Sequence, residues 1–546
     1  MTVADRCFKG SLVRVRAIIE TETQAIYPEL QGHSSGGSVL LHRLILGAVI
    51  GLLILGNPAY AASLGDVHFP ISCSPKVQPT FDSGVALLHS FEFREAENAF
   101  LEVERDDPKC VIAAWGIALS TTERAGAGAP QKDLAKGWAE LQPWLSVNAG
   151  TERERMYVDA VRAMYQDYDT VPKAERWNAY LAIMRQLRAK YPEDINASLF
   201  YGLGLTWTAG PGEEGARQRR AALAIFIPIF QKYPSNPGAA HYIIHAADTA
   251  ELASEALPSA RKYAAIAPDS PHALHMPSHI FNRLGLWQDS IATNEASARV
   301  AAEWMKEGRA GSFDEFHALN NIEYAALQLG QDRRASDVVE RIKALGIKGE
   351  DPWLPVDARI YYDLETHNWK DAAQIVPPPS APFEESFDAY WIEAIGAARS
   401  GEPTKARAAL NKYRDSETAW NKNHGWGDIL GVGLAEAEAW TLFSEGQKEE
   451  AVLRLTGMES FERDHPMYYA DILPRPTGEM LGDMLLQMSR PKEALAAYQA
   501  ALKLAPKRLD SLLGAQRAAK LDGQEAIAKQ YGSEILAENA VFAERP

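Results

Sequence analysis

A small set of residues recurs along this chain at fixed offsets, and that recurrence limits the fold more than any other feature. Near the C-terminus, Leu481 and Gly482 are followed by Ala494, Tyr498, Ala501 and Pro506. Gly482 and Ala494 let two helices approach closely, and Tyr498 fills the gap between neighbours. Pro506 ends the second helix, because it has no backbone donor. Gly84, Ala96, Phe100 and Pro108 show a closely similar spacing near the other end. Weaker copies are Gly285 with Ser290, Gly330 with Ala335, Gly401 with Ala406, and Gly446 with Ala451. In each, glycine falls in the turn between two helices, just ahead of a small residue of the second. No stretch alternates apolar and polar residues long enough for a strand. The pattern predicts an all-α chain, a superhelical solenoid of antiparallel helix pairs stacked on their neighbours.

Such a stack accounts for a length of 546 residues, too long for one compact core. Hydrophobic residues at 46% suffice to line a continuous core, and charged residues at 23% argue against wholesale disorder. A net charge of −16 repels phosphate backbones and argues against nucleic acid as a partner. It suits a solvated surface, and it permits cationic ligands or metal ions. Residues 126–130 and 210–215 read as loops. Residues 377–382 hold four prolines in six positions. They form either a linker between stacks at 62–376 and 383–546 or a stiff loop inside one superhelix.

The first 61 residues read as an extension ending in an export signal. His42 and Arg43 precede an apolar run from Leu44 to Gly56, and Ala59-Tyr60-Ala61 supplies small residues for cleavage. The run is shorter than the roughly 20 residues that span a bilayer. Cleavage after Ala61 leaves a mature chain in the periplasm or outside the cell, without a stable membrane span. The residues before Val39 are long and polar for a signal, which places the working start downstream, near Val39. Cys7 belongs to the discarded part. Cys73 and Cys110 remain, and in an oxidising compartment they either pair, stapling the open end of the solenoid, or stay as two buried thiols.

The histidines follow the repeat. His241 and His245 are four apart, as are His275 and His279, and the second pair follows the first by 34 residues. Both pairs therefore occupy equivalent places on the first helices of adjacent repeats. His272 precedes His275 on the same face. The segment from His272 to Gly285 aligns with that from His317 to Gly330, matching His317 to His272, Asn320 to His275 and Tyr324 to His279. Imidazoles at i and i+4 stand side by side and can chelate one ion, and across helices about 8–10 Å apart the four either converge on one ion or form two separate two-histidine sites. Such a set suits zinc, copper, nickel or iron, and Met276 offers a soft ligand or core packing. The metal reading rests on His241, His245, His275 and His279. A groove for a peptide, protein or small molecule would use His272, His317, Asn320 and Tyr324. Sealing of the groove by stacked rings is the third use of the same residues.

Other motifs carry less. Gly32-His33-Ser34-Ser35-Gly36 fits a nucleophile elbow but lies before the cleavage site, with no strand ahead of it. Asp248, Glu251, Asp314 and Glu315 are the carboxylates near the histidines, and Arg475 opens the last clear repeat with a carboxylate as its expected partner. Residues 114–118, 241–246 and 275–280, with His317-Ala318-Leu319 and the 478–506 repeat, resemble a family of bacterial exported tetratricopeptide-repeat proteins with paired His-x-x-x-His motifs. The resemblance runs from about Cys73 to Gln530. It implies the superhelical fold and a concave face carrying the histidines, and it implies no reaction. The leading expectation is a periplasmic or secreted binding scaffold with a histidine-lined groove, with zinc or copper as a candidate occupant. The rival is a metalloenzyme, a hydrolase or copper-dependent oxidase, with the four histidines as ligands.

Overall fold

A computed structural model describes residues 63–121, 131–147, 149–210, 212–348, 353–383, 386–424, 430–464 and 475–538. The predicted signal segment and Cys7 lie outside them, as does the 126–130 loop. Among the described residues there is no strand, and no helix is long and apolar enough to cross a membrane. The first six helix pairs, in chain order, begin with α1 (Gln78–His89) and α2 (Phe93–Asp106), then α3 (Val111–Ser120) and α4 (Gln131–Leu141). Next come α5 (Glu152–Tyr165) with α6 (Lys173–Lys190), α7 (Ile195–Thr208) with α8 (Gly212–Lys232), and α9 (Pro237–Ala247) with α10 (Ala253–Ile266). In the sixth pair the first helix is split into α11 (Pro271–His275) and α12 (Pro277–Arg283), facing α13 (Trp287–Lys306). Then follow α14 (Ser312–Gln328) with α15 (Asp332–Lys348), α16 (Leu354–Glu365) with α17 (Trp369–Ala372), and α18 (Phe387–Arg399) with α19 (Pro403–His424). The last are α20 (Leu430–Ser444) with α21 (Lys448–Asp464), α22 (Thr477–Gln487) with α23 (Pro491–Leu504), and α24 (Leu509–Leu521) with α25 (Glu525–Glu538).

The turn inside each pair has a physical signature. Gly285, Gly330, Gly401 and Gly446 all take positive φ, between 64° and 89°, at the turn after a first helix. That left-handed residue lets the chain reverse into the second helix, and glycine adopts it without a Cβ clash. Side chains start several first helices. Asn236 accepts from Ala239 N at 2.9 Å ahead of Pro237, and Ser270 accepts from Ala273 N at 3.0 Å ahead of Pro271. Proline at N1 gives up a donor that has no helical partner there.

First helices of neighbouring pairs touch one another, whereas second helices make their main contacts with first helices. The first helices therefore form the inner layer of a curved stack. The end of the stack is covered by the segment before α1. Phe69 is fully buried against Phe81, Trp115 and Tyr157, with ring centres 4.9–5.3 Å apart. A Cys73–Cys110 disulfide ties that segment to the start of α3. Apolar packing continues through the proline-rich stretch, since Ile360, Leu364, Ala372 and Ile375 share a core with Ala389, Ile392 and Leu485.

The superhelix also touches itself at long range. In the first half, α1 packs on α9, and in the second, α14 packs on α24. The second closure is polar and buried. Arg508 donates Nε to Glu479 at 2.9 Å and pairs with Glu365, and Leu509 N donates to Gln328 Oε1 at 3.1 Å. Arg475 finds the expected carboxylates, Glu479 at 2.5 Å and Asp510 at 3.0 Å. Asp483 accepts from Arg399 at 2.8 Å and from Tyr498 Oη at 2.7 Å. Burial alone would raise its carboxyl, but Arg475 and Arg399 outweigh that and hold it at about 2. A carboxylate depressed on folding adds stability above its unfolded pKa and loses it as pH falls through the folded value. Asp483→Asn should therefore cost on the order of 2 kcal/mol near neutral pH, with the deficit shrinking between about pH 4 and pH 2. Denaturant melts across that range check it, and a deficit that does not change with pH would contradict it.

Candidate metal centre

Three consecutive first helices, α9, α11–α12 and α14, bring six histidines together. The cluster divides into two trios, His241 with His245 and His272, and His275 with His279 and His317. Within each trio one nitrogen from every ring lies within 4.8 Å of the others. The four expected metal ligands are all present, but the grouping differs from the expected one. His272 joins the first pair and His317 joins the second. The sequence places both in a ligand groove, because spacing sets i, i+4 pairs on one helix and carries no sign of a third ring arriving from the next.

Three of the rings are oriented by partners at Nδ1. His241 bonds the His89 carbonyl at 2.6 Å, and a carbonyl only accepts, so His241 carries its proton on Nδ1. His279 Nδ1 meets Asp248 Oδ2 at 2.8 Å, and the same carboxylate accepts from Arg283 Nε at 2.8 Å. His275 Nδ1 meets Asn294 Oδ1 at 2.7 Å. Asn294 is oriented in turn by donating Nδ2 to the Ser290 carbonyl at 2.9 Å, which leaves Oδ1 as the acceptor. When such a ring is neutral its proton sits on Nδ1, and its Nε2 lone pair points inward. His275 and His279 then face each other Nε2 to Nε2 at 3.0 Å, and His241 faces His272 at 3.2 Å. Two acceptor lone pairs at 3.0 Å repel unless a cation lies between them. Two tetrahedral ligands about 2.0–2.1 Å from one zinc ion would stand about 3.3 Å apart.

The backbone helps to set this geometry. Pro277 breaks the helix between His275 and His279, because it lacks the N–H that would continue it. Ser278 Oγ donates to the His275 carbonyl at 2.7 Å at the break. The pocket is asymmetric in exposure. His241, His275 and His279 are at most 5% exposed, whereas His245, His272 and His317 are half-buried. Burial, then the charges of His245 and His272, push the His241 imidazole well below its ordinary pKa.

The remaining candidates fall elsewhere. Asn320 is buried on α14 one turn after His317. Tyr324 is fully buried against Trp287 and bonds Arg508 at 3.3 Å, so it lies in the core and not on an open groove. Met276 packs in the apolar core. Of the four carboxylates, Asp248 reaches a histidine, while Glu251 pairs with Arg220 and Glu315 with Arg341.

Three neighbours have no signal in the repeat. The His89 ring is buried between Tyr242 Oη at 2.9 Å and Asn196 Oδ1 at 3.1 Å. Glu92 accepts from Ser270 Oγ at 2.6 Å and from His272 N at 3.2 Å. Phe91 stands between them. Its ring lies 4.4 Å from His241, 5.1 Å from His245 and 5.5 Å from His272, centre to centre. The turn after α1 is the place where later pairs put glycine, and an aligned comparison of the turns would expose the substitution. Phe91 takes the left-handed conformation there, with φ 56°.

The helix-pair stack is a tetratricopeptide-type solenoid. The sequence matches no protein-family model and no curated protein. Among solved structures it is similar to a chain of the APC/C hetero-tetramer Cut9–Hcn1, at 13% identity over 88% of this chain and 81% of that one, TM-score 0.37. It is similar to human IFIT1 solved with m7Gppp-AAAA, at 13% identity over 82% and 94%, TM-score 0.35. A third is the TPR domain of P58(IPK), at 14% identity over 82% and 99%, TM-score 0.21.

The strain at Phe91 gives a test of sign. A left-handed non-glycine residue costs of order 1 kcal/mol that glycine avoids. Phe91→Gly should therefore be more stable than Phe91→Ala by about 1 kcal/mol, the reverse of their order inside a helix. Paired chemical melts read the difference, and an alanine variant equal to or above the glycine variant would contradict it.

Proposed function

We propose that this chain is an exported tetratricopeptide-type scaffold whose concave face holds transition-metal ions on two histidine trios. The observation that carries the reading is the 3.0 Å approach of His275 and His279 through Nε2, with both Nδ1 atoms committed to acceptors. A shared proton would satisfy two nitrogens. The third ring, His317, has its centre 4.2 Å from that of His275, and three convergent imidazoles are the complement of a metal ion. The imidazole set suits zinc or copper, with nickel and iron as weaker fits. The outer partners Asp248, Asn294 and the His89 carbonyl would fix the tautomers, as such partners do around metal sites. Three ligands leave a fourth position, and the half-buried rings His245, His272 and His317 mark the side from which a peptide, protein or small molecule would reach it. Export, through the 44–56 segment and cleavage after Ala61, belongs to the same reading, as does a linker or stiff loop at residues 377–382.

Elemental analysis of chain purified without an affinity tag should find bound zinc or copper, close to one ion per trio. His245→Ala should lower the content toward one ion while leaving the helical melt in place. The mature protein from its native host should begin at Ala62 or within a few residues, and retention of Leu44 to Gly56 would end the export reading. A folded chain that takes up none of zinc, copper, nickel or iron at micromolar levels would end the metal reading and leave a binding groove.

A further inference from the structure

The two trios are not isolated sites. Across the boundary between them, His245 and His279 have ring centres 6.1 Å apart, and His272 and His275 are 6.2 Å apart. Inside the first trio, His245 and His272 are 6.4 Å apart. The cross-trio spacings match that longest spacing inside a trio and exceed the 4.2–5.0 Å of His241–His245, His241–His272, His275–His279 and His275–His317 by only one to two ångströms. An ion sits about 2 Å beyond each ligating nitrogen, so ions on the two sets fall within reach of one small bridging ligand.

The ligand chemistry narrows the metal. Both sets are composed of histidine alone, with no carboxylate or thiolate among their members. Asp248 bonds the outer nitrogen of His279 and Glu92 bonds the backbone of His272, so neither is a member of a ligand set. Six neutral imidazoles add no negative charge. Two divalent ions would leave a local charge of four in a largely buried site, whereas two cuprous ions leave two. Imidazole is a good ligand for copper in either oxidation state. If each cuprous ion gives one electron to dioxygen, the O–O bond falls from double to single order and a bridging peroxide forms. Two cupric ions with one peroxide dianion again carry a net charge of two. No proton moves and no bond to the protein forms or breaks. The uptake is charge-neutral, which a low-dielectric pocket with fixed neutral ligands favours.

The surroundings fit a small apolar ligand. Phe91 covers the first trio, and Phe313 stacks on His317 with ring centres 5.6 Å apart at the edge of the second. Phe313 is 49% exposed, so the second trio has an aromatic rim that reaches solvent. We propose that the six histidines act as one dinuclear copper centre that binds dioxygen reversibly as a bridging peroxide. The proposal rests on the metal-binding reading above and adds the metal, the nuclearity and the ligand.

The test uses the full chain loaded anaerobically with cuprous salt, its copper measured, and then exposed to a known amount of dioxygen. The expected result is close to two copper ions per chain and one dioxygen consumed per two coppers. The oxygenated protein should show a strong near-ultraviolet charge-transfer band and no cupric paramagnetic signal, because the two spins couple through the bridge. Removal of dioxygen under vacuum should reverse the band. His317→Ala, which removes a half-buried ligand at the rim, should keep about one copper and lose dioxygen uptake. Two coppers that oxidise to two independent paramagnetic ions would overturn the dinuclear proposal and leave metal binding intact. The same holds for a chain that binds zinc but not copper, or for His317→Ala that retains full dioxygen uptake. Absence of any metal would overturn both readings.

Discussion

The candidate site depends on one long-range contact, the seating of the end of α1 on α9. A solenoid is held by neighbours, and nothing in nearest-neighbour packing brings residue 89 to residue 241. The contact is made by one residue used twice. The His89 ring fills the space between Tyr242 and Asn196, and its carbonyl accepts from His241 Nδ1. Gly238 is required beneath it, because a Cβ there would sit 2.5 Å from the His89 ring. Burial pulls the His89 imidazole down to about 4, against a bond from Asn196 that favours its charged form. The ring is therefore neutral at ordinary pH, as a histidine in a site without a counter-charge has to be.

That contact sets the turn after α1 against the histidines of α9 and α11. Without it, the first-trio histidines would line an open groove. With it, the loop of Ser90, Phe91 and Glu92 enters the concave face and closes one side. Ser90 receives Tyr263 Oη at 3.3 Å, and Glu92 receives Ser270 and His272. Burial raises the Glu92 carboxyl to about 8, with Asp314 adding to the rise and the bond from Ser270 opposing it. A carboxyl kept largely protonated beside the cluster keeps the local field less negative than its composition suggests. The second closure, of Arg508 and Arg475 onto Glu365, Glu479 and Asp510, joins distant repeats in the other half. Both closures use buried polar contacts, and in the second a buried ion pair placed wrongly would leave charges unpaired, which selects one register among many.

Much of the fold was legible in the sequence because a repeat states the same instruction many times. Gly285, Gly330, Gly401 and Gly446 sit in the turns where their spacing put them, and the 34-residue register of the histidine pairs does place them on successive first helices. The membership of the trios was not legible. His272 and His317 reach the pairs only through superhelical packing, and their sequence offsets carry no information about that angle. His89 and Phe91 were missed for a stronger reason. They act across some 150 positions, and no period connects them to their partners. Tyr324 aligned with His279, yet it is buried beneath the second closure, because the alignment of two repeats cannot show what the far end of the chain covers.

Chemistry gathers where the repeat is broken. Pro277 interrupts a first helix that elsewhere runs unbroken, between two histidines that face each other at 3.0 Å. Phe91 takes a left-handed backbone conformation that Gly285, Gly330, Gly401 and Gly446 supply at four later turns, with its ring against three imidazoles. Asp167, His367 and Ser489 are further non-glycine residues in left-handed conformation at such turns, and His367 too is held by side chains, stacking on Trp369 and bonding Asp510 at 3.0 Å. Each departure costs local stability that a regular repeat would keep. A sequence sustains such costs where the surrounding structure over-determines the conformation and the displaced side chain does something the regular one could not. A stack of helix pairs needs neither a proline within a first helix nor a phenylalanine at a left-handed turn to stand. Pro277 and Phe91 both stand at the histidine cluster, so these two departures from the regular repeat meet at one place in the stack.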